Sequence, residues 1–137
     1  MDLYSVSKRS EIMSKIGSKN TKLEIMVRKI LFANGFRYRV NDKRYPGKPD
    51  IFLPKYKTAI FIHGCFWHGH QCAAGRLPST RVEFWKNKIN SNIDRDYCNL
   101  ELLKKMGFQV IIVWQCDLKN KQAQNITLTN LINKLRN

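Results

Sequence analysis

Acidic residues are scarce in this chain: 10 Asp and Glu stand against 25 Lys and Arg among 137 residues, a formal charge of +15. Such a surplus repels itself in a compact protein unless something anionic answers it, and nucleic acid is the leading candidate. Long apolar runs are missing as well; none approaches the ~20 residues of a membrane span. An anionic membrane surface could attract the charge, but no basic amphipathic helix stands out to bind it. The opening residues Met1-Asp2-Leu3-Tyr4-Ser5 lack the basic-then-apolar pattern of a secretion signal, so a cytoplasmic location is expected. In that compartment four cysteines serve more often as metal ligands or core than as disulfides. Internal repeats and low-complexity tracts are absent. What remains, 43% apolar residues, is enough core for one domain and too short a chain for two.

Residues 1–20 are polar and basic, with Lys8, Arg9, Lys15 and Lys19 around a short stripe of Ile12, Met13 and Ile16. This segment is expected to pack lightly or to become ordered on a ligand. Thr21-Lys22-Leu23-Glu24 reads as a capping box that opens a helix with Leu23, Met26, Val27, Ile30 and Leu31 on one face and a stop at Gly35. Phe36, Tyr38 and Val40 then alternate with Arg37 and Arg39 as a half-buried strand. After a turn-rich stretch, Asp50 to Leu53 and Thr58 to His63 pair most simply as a hairpin. Thr80-Arg81-Val82-Glu83 is a second capping box, and its helix runs to about Met106 with Gly107 as its stop. The stripe of that helix is Trp85, Ile89, Ile93, Leu100 and Leu103. Phe108 to Trp114 reads as a buried strand, and a polar helix from about Lys121 to Leu135 follows. Helix, three strands, helix, strand, helix predicts one mixed α/β layer structure.

All three histidines and two of the four cysteines fall between His63 and Cys72. Zinc wants four soft or borderline ligands, and loops supply them when pairs lie close in sequence. Cys65, His70 and Cys72 form one half of such a site. Cys116, just past the strand that can return beside His63, completes it, with His68 as the alternative fourth ligand. Cys98, inside the long helix, is expected to be a buried small residue. Asp50 follows Pro49 among Lys43, Arg44, Lys48 and Lys55. It either answers those charges or serves as a hard oxygen ligand for magnesium, which is typically held by one or two carboxylates plus phosphate oxygens and water. A carboxylate, an imidazole such as His63 and a basic surface are the parts of metal-assisted phosphodiester hydrolysis. Glu24 is already employed by its capping box. Phe66 and Trp67 are either core or wedges between bases, whereas the helical stripe places Trp85 in the core.

At these residues the chain resembles the Vsr family, the very-short-patch repair endonucleases that nick DNA at T·G mismatches. The carriers run from Arg9 to Leu118. They include Lys19-Asn20-Thr21-Lys22 with Glu24, Gly35-Phe36-Arg37-Tyr38-Arg39, Pro46-Gly47-Lys48-Pro49-Asp50, the whole of Ile60 to His70, Glu83-Phe84-Trp85 and Val113-Trp114-Gln115-Cys116. The His63–Cys72 segment is the most specific of them. The resemblance implies a restriction-endonuclease-like fold, a central mixed β-sheet flanked by helices, with residues 1–20 clamping DNA and a single endonuclease domain over 21–137. It implies that Asp50 ligates catalytic magnesium with help from the backbone carbonyl of Ile62. His68 would be the general base, His63 a second catalytic imidazole and Glu24 an active-site carboxylate. Structural zinc would be held by Cys65, His70, Cys72 and Cys116, with His68 left free. Phe66, Trp67 and Trp85 would intercalate, which for Trp85 opposes the helical stripe. Ile62, Gly69 and Leu23 depart from residues common in the family, and none of the three removes a proposed ligand side chain.

Two functional classes follow. One is a magnesium-dependent nickase acting on the 5′ side of the thymine of a T·G pair in double-stranded DNA, or the same chemistry serving a restriction–modification system without strict mismatch preference. A monomer is expected, with mismatch-repair proteins as candidate partners and the bacterial nucleoid as its place when bound. The other is a zinc-stabilised module that binds distorted DNA and cuts nothing. Asp50, His63 and His68 together favour the enzyme, since a binder has no need of that set.

Overall fold

A computed structural model describes residues 21–72 and 75–137. The basic segment over residues 1–20, with its stripe and its expected clamping role, lies outside them. The order is α1 (Thr21–Ala33), β1 (Arg39–Val40), β2 (Ile51–Leu53), β3 (Thr58–His63), α2 (Val82–Lys105), β4 (Gln109–Trp114) and α3 (Lys121–Arg136). Single 3-10 turns follow β2 and β4. The strands form one mixed sheet in the order β1-β2-β3-β4. β1, β2 and β3 are antiparallel neighbours, whereas β3 and β4 run parallel with His63 opposite Trp114.

Alternation along each strand decides which helix each side chain meets. Ile51, Leu53, Ile60, Ile62 and Val113 point to one face and pack with Val27 and Leu31 of α1 and Leu128, Leu131 and Leu135 of α3. Phe52, Ala59, Phe61 and Val110 point to the other and pack with Leu103 of α2. Carried to the strand ends, the same alternation puts Asp50, His63 and Trp114 on the α2 face. The site described below is therefore a consequence of strand parity.

Both glycine stops act as expected. Beyond α1, the amide of Phe36 reaches the carbonyl of Leu31 at 3.0 Å and Gly35 reaches Phe32 at 3.0 Å, with Gly35 at φ +89°. That is the Schellman pattern, and it drives Phe36 inward. Phe36 is consequently core, packed on Tyr56 with ring centroids 5.2 Å apart. The strand expected from Phe36 shrinks to Arg39–Val40, both exposed at the sheet edge. Tyr38 instead anchors to α1, its hydroxyl donating to the Arg28 carbonyl at 3.1 Å.

The capping box expected at Thr80 is corrected. The cap of α2 is Arg81, in the left-handed region at φ +53°, and no side-chain cap hydrogen bond is made there. Cys98 is also corrected: it is exposed. It lies two residues from both Asp96 and Leu100, about 200° around the helix from each, so it faces away from the sheet. No helix among the described residues is long and apolar enough to cross a membrane.

Candidate active site and metal centre

Between the α2 face of the sheet and α2 itself lies a cavity of about 460 Å³, lined by Asp50, His63, Trp67, His68 and Asp96 together with Lys48, Asn92 and Arg95. Asp50 precedes β2 and is only 5% exposed. Its carboxylate crosses to β3 and accepts the Ile62 amide proton at 2.7 Å. His63 ends β3 and stacks flat on His68, with centroids 3.7 Å apart and planes 3° from parallel. Burial, reinforced by the neighbouring His68 and opposed by Asp96, pushes the His63 pKa down to about 4. His63 Nδ1 has no hydrogen-bond partner among the described residues.

His68 Nδ1 meets Asp96 Oδ2 at 2.5 Å. A carboxylate at Nδ1 accepts a hydrogen bond from that nitrogen, so in the neutral ring the proton sits on Nδ1 and the lone pair stands on Nε2. Asp96 is the cavity residue the sequence reading missed. A signal was present, because Asn92 and Asp96 are polar at positions where the stripe Trp85, Ile89, Leu100 and Leu103 calls for apolar side chains. Asn92 uses its amide to hold the loop, donating to the Trp67 carbonyl at 2.9 Å. Gly69, at φ +64°, lets the loop lie against α2. A Cβ there would stand 2.5 Å from Ile93 Cδ1 and 2.8 Å from Ile89 Cγ2.

The loop after β3 also builds a second cluster. The ligand atoms of Cys65, His70, Cys72 and Cys116 all lie within 4.8 Å of one another, an arrangement able to hold a metal ion. The Cys116 amide donates to Cys65 Sγ at 3.4 Å, and Cys116 Sγ lies 3.4 Å from His70 Nδ1. Of the two fourth ligands open to the sequence, Cys116 converges with the others, while His68 turns to Asp96. Burial, ahead of other effects, pushes the Cys65 thiol up to about 12 and raises Cys116 as well. Between the two clusters stands Trp114, stacked on His70 at 4.0 Å and edge-on to His63 at 5.2 Å.

Phe66, Trp67 and Trp85 form one aromatic group, with centroids 5.2 to 5.9 Å apart. Trp85 is buried, as its helical stripe requires, and Phe66 and Trp67 are half-buried. Glu24 is buried on α1 and paired with Arg28 at 3.2 Å. It is not among the cavity-lining residues.

Comparison with known proteins places the chain in a family. The family profile described as DNA mismatch endonuclease Vsr matches residues 1–74. A type II nicking enzyme, V.NmeAIP of Neisseria meningitidis, is 54% identical over 135 residues, covering 98% of this chain and 96% of that one. The type II nicking enzyme V.XorIIP of Xanthomonas oryzae is 40% identical, with 96% of each chain covered. The DNA mismatch endonuclease Vsr of Escherichia coli is 38% identical over 121 residues, 88% of this chain and 78% of that one. This chain therefore belongs to the Vsr family of DNA endonucleases.

Proposed function

We propose that the protein is a magnesium-dependent endonuclease that nicks one strand of duplex DNA on the 5′ side of the thymine of a T·G mismatch. The reading is carried by one observation: an imidazole oriented by a carboxylate, His68 on Asp96, shares a cavity with the buried carboxylate of Asp50. The +15 charge supplies the attraction for the substrate. Family membership and the sheet topology favour a restriction-endonuclease-like fold. The bacterial relatives favour work on DNA in the cytoplasm.

Asp50 is a hard oxygen donor facing the cavity, which suits magnesium. With the carbonyl of Ile62 it would hold the ion, whose chemistry here is charge neutralisation at the scissile phosphate. His68 Nε2 is free to take a proton from water as the water oxygen bonds to phosphorus. One P–O ester bond breaks, and its electron pair leaves with the sugar oxygen, which gains a proton. Asp96 keeps the His68 proton on Nδ1, which leaves the Nε2 lone pair available to that step. His63 holds the plane of His68 by stacking on it. Glu24, paired with Arg28 on α1, is the least direct of the proposed active-site carboxylates.

The donor set of Cys65, His70, Cys72 and Cys116, three sulfurs and a nitrogen, is the composition of a closed structural zinc site. Phe66 and Trp67 would enter the base stack, with Trp85 buried behind them, and residues 1–20 would clamp the duplex.

A nicking assay on matched and T·G duplexes, with and without magnesium, tests the reading. Nicks confined to the mismatch and to magnesium are expected, and Asp50→Ala should abolish them while DNA still binds. Equal nicking of matched DNA supports a second reading, a nicking enzyme serving a restriction–modification system, and two of the relatives carry the name type II nicking enzyme. No nicking under any condition would leave a binding module.

A further inference from the structure

Phosphodiester hydrolysis builds negative charge on the non-bridging oxygens as water adds to phosphorus, and preorganised cationic donors aimed at that charge are among the strongest catalytic devices. Among the described residues, the acidic side chains lining the cavity are Asp50 and Asp96. One accepts the Ile62 amide and the other meets His68. Two cations line the same cavity from opposite sides, Lys48 on the loop before β2 and Arg95 on α2. Neither has a hydrogen bond or ion pair to a carboxylate among the described residues. Arg95 is adjacent in sequence to Asp96, the residue that aims the base. The α2 face of Asn92, Arg95, Asp96 and Asn99, spaced three and four residues apart, turns all of them to the cavity.

We propose that Arg95 is a further catalytic residue, a guanidinium that binds the non-bridging oxygens of the scissile phosphate and stabilises the charge developing on them. The assignment rests on the endonuclease reading given above. The choice of Arg95 over Lys48 follows from its place beside the base and from the planar fork of a guanidinium. That fork matches two oxygens at once, whereas an ammonium offers a point charge. A guanidinium with no carboxylate partner among the described residues also has no such ion pair to break before it meets a phosphate.

The test measures single-turnover nicking of a T·G duplex with enzyme saturating and magnesium present, beside the dissociation constant with magnesium omitted. Arg95 is exposed, so Arg95→Ala should melt at the wild-type temperature. It should slow the bound-state rate by about 10²–10³-fold, the range seen when one such donor is removed, while the dissociation constant shifts only a few-fold. Arg95→Lys should fall between the two, because charge is kept and the fork is lost. Added guanidinium ion should restore part of the Arg95→Ala rate and none of the His68→Ala rate. An Arg95→Ala enzyme at wild-type rate beside a slowed His68→Ala enzyme overturns the proposal alone. So does a loss confined to the dissociation constant, which would make Arg95 an ordinary phosphate contact. A His68→Ala enzyme at full rate overturns the underlying endonuclease chemistry, and Arg95 with it.

Discussion

Replacing Asp96 by Asn should separate catalysis from stability more cleanly than any other single change. The carboxylate holds the proton of His68 on Nδ1, and an amide in its place can present its NH₂ group to that nitrogen instead. The ring then favours the tautomer with hydrogen on Nε2, the nitrogen proposed to accept a proton from water. General-base catalysis contributes about 10²–10⁴-fold, or roughly 3 to 5 kcal/mol of barrier. The folded state has much less at stake. The side chains of His68 and Asp96 are 17% and 28% exposed, and ion pairs with that access to water contribute on the order of 0–1 kcal/mol. Asp96→Asn should therefore nick some hundredfold or more slowly in single turnover, with melting temperature and DNA affinity close to wild type. Nitrogen shifts of the His68 ring, read by NMR, report the tautomer directly. A tautomer switch with a rate within threefold of wild type would refute the reasoning.

Three further outcomes are expected. Gly69→Ala pays about 1–2 kcal/mol for a left-handed alanine and meets Ile93 besides, so it should lower both melting temperature and nicking rate; Ile93→Ala added to it should return part of the loss, and strictly additive effects would show that the loop does not press on α2 there. Cys116→Ser should shed one equivalent of zinc by elemental analysis and melt at a lower temperature, whereas Cys98→Ser should retain its metal; equal metal content in both would remove Cys116 from the centre. His63 binds its proton near pH 4 when folded and near 6.5 when unfolded, so stability is complete above about 6.5 and falls as pH drops toward 4, by at most about 3 kcal/mol. His63→Gln should flatten that limb in urea titrations of the metal-loaded protein; acid loss of metal acts on both proteins and cancels in the difference, so identical slopes would count against a buried neutral His63.

The sequence disclosed what is local. Cys65, His70 and Cys72 announce themselves because a single loop carries them, and Gly35 and Gly107 because a helix stop needs a residue at positive φ. The parallel return of β4, which brings Cys116 to the loop, was legible from the order of elements. What escaped depended on partners far along the chain. Phe36 alternates like a strand residue, but the turn at Gly35 aims it at Tyr56. Asp96 has no neighbour in sequence to mark it, and its meaning appears only when α2 lies over His68. The cap of α2 was misplaced by one residue because Thr80-Arg81-Val82-Glu83 fits the pattern that Arg81 pre-empts.

The parallel pairing of β3 with β4 also sets when the enzyme becomes dangerous. Asp50, His63 and His68 all leave the ribosome before α2 and β4, yet His68 meets its carboxylate only when α2 brings Asp96, and His63 meets Trp114 only at the end of β4. Closing a loop of such length is among the slower events of folding, so the cutting apparatus is completed with the last layers of the domain. A nascent or locally unfolded copy keeps its basic charge, but with α2 lifted His68 is without the carboxylate that orients its ring. On the proposed chemistry, fidelity toward the chromosome is tied to the integrity of the fold: a copy with α2 lifted would lose its cutting before it lost its charge for DNA.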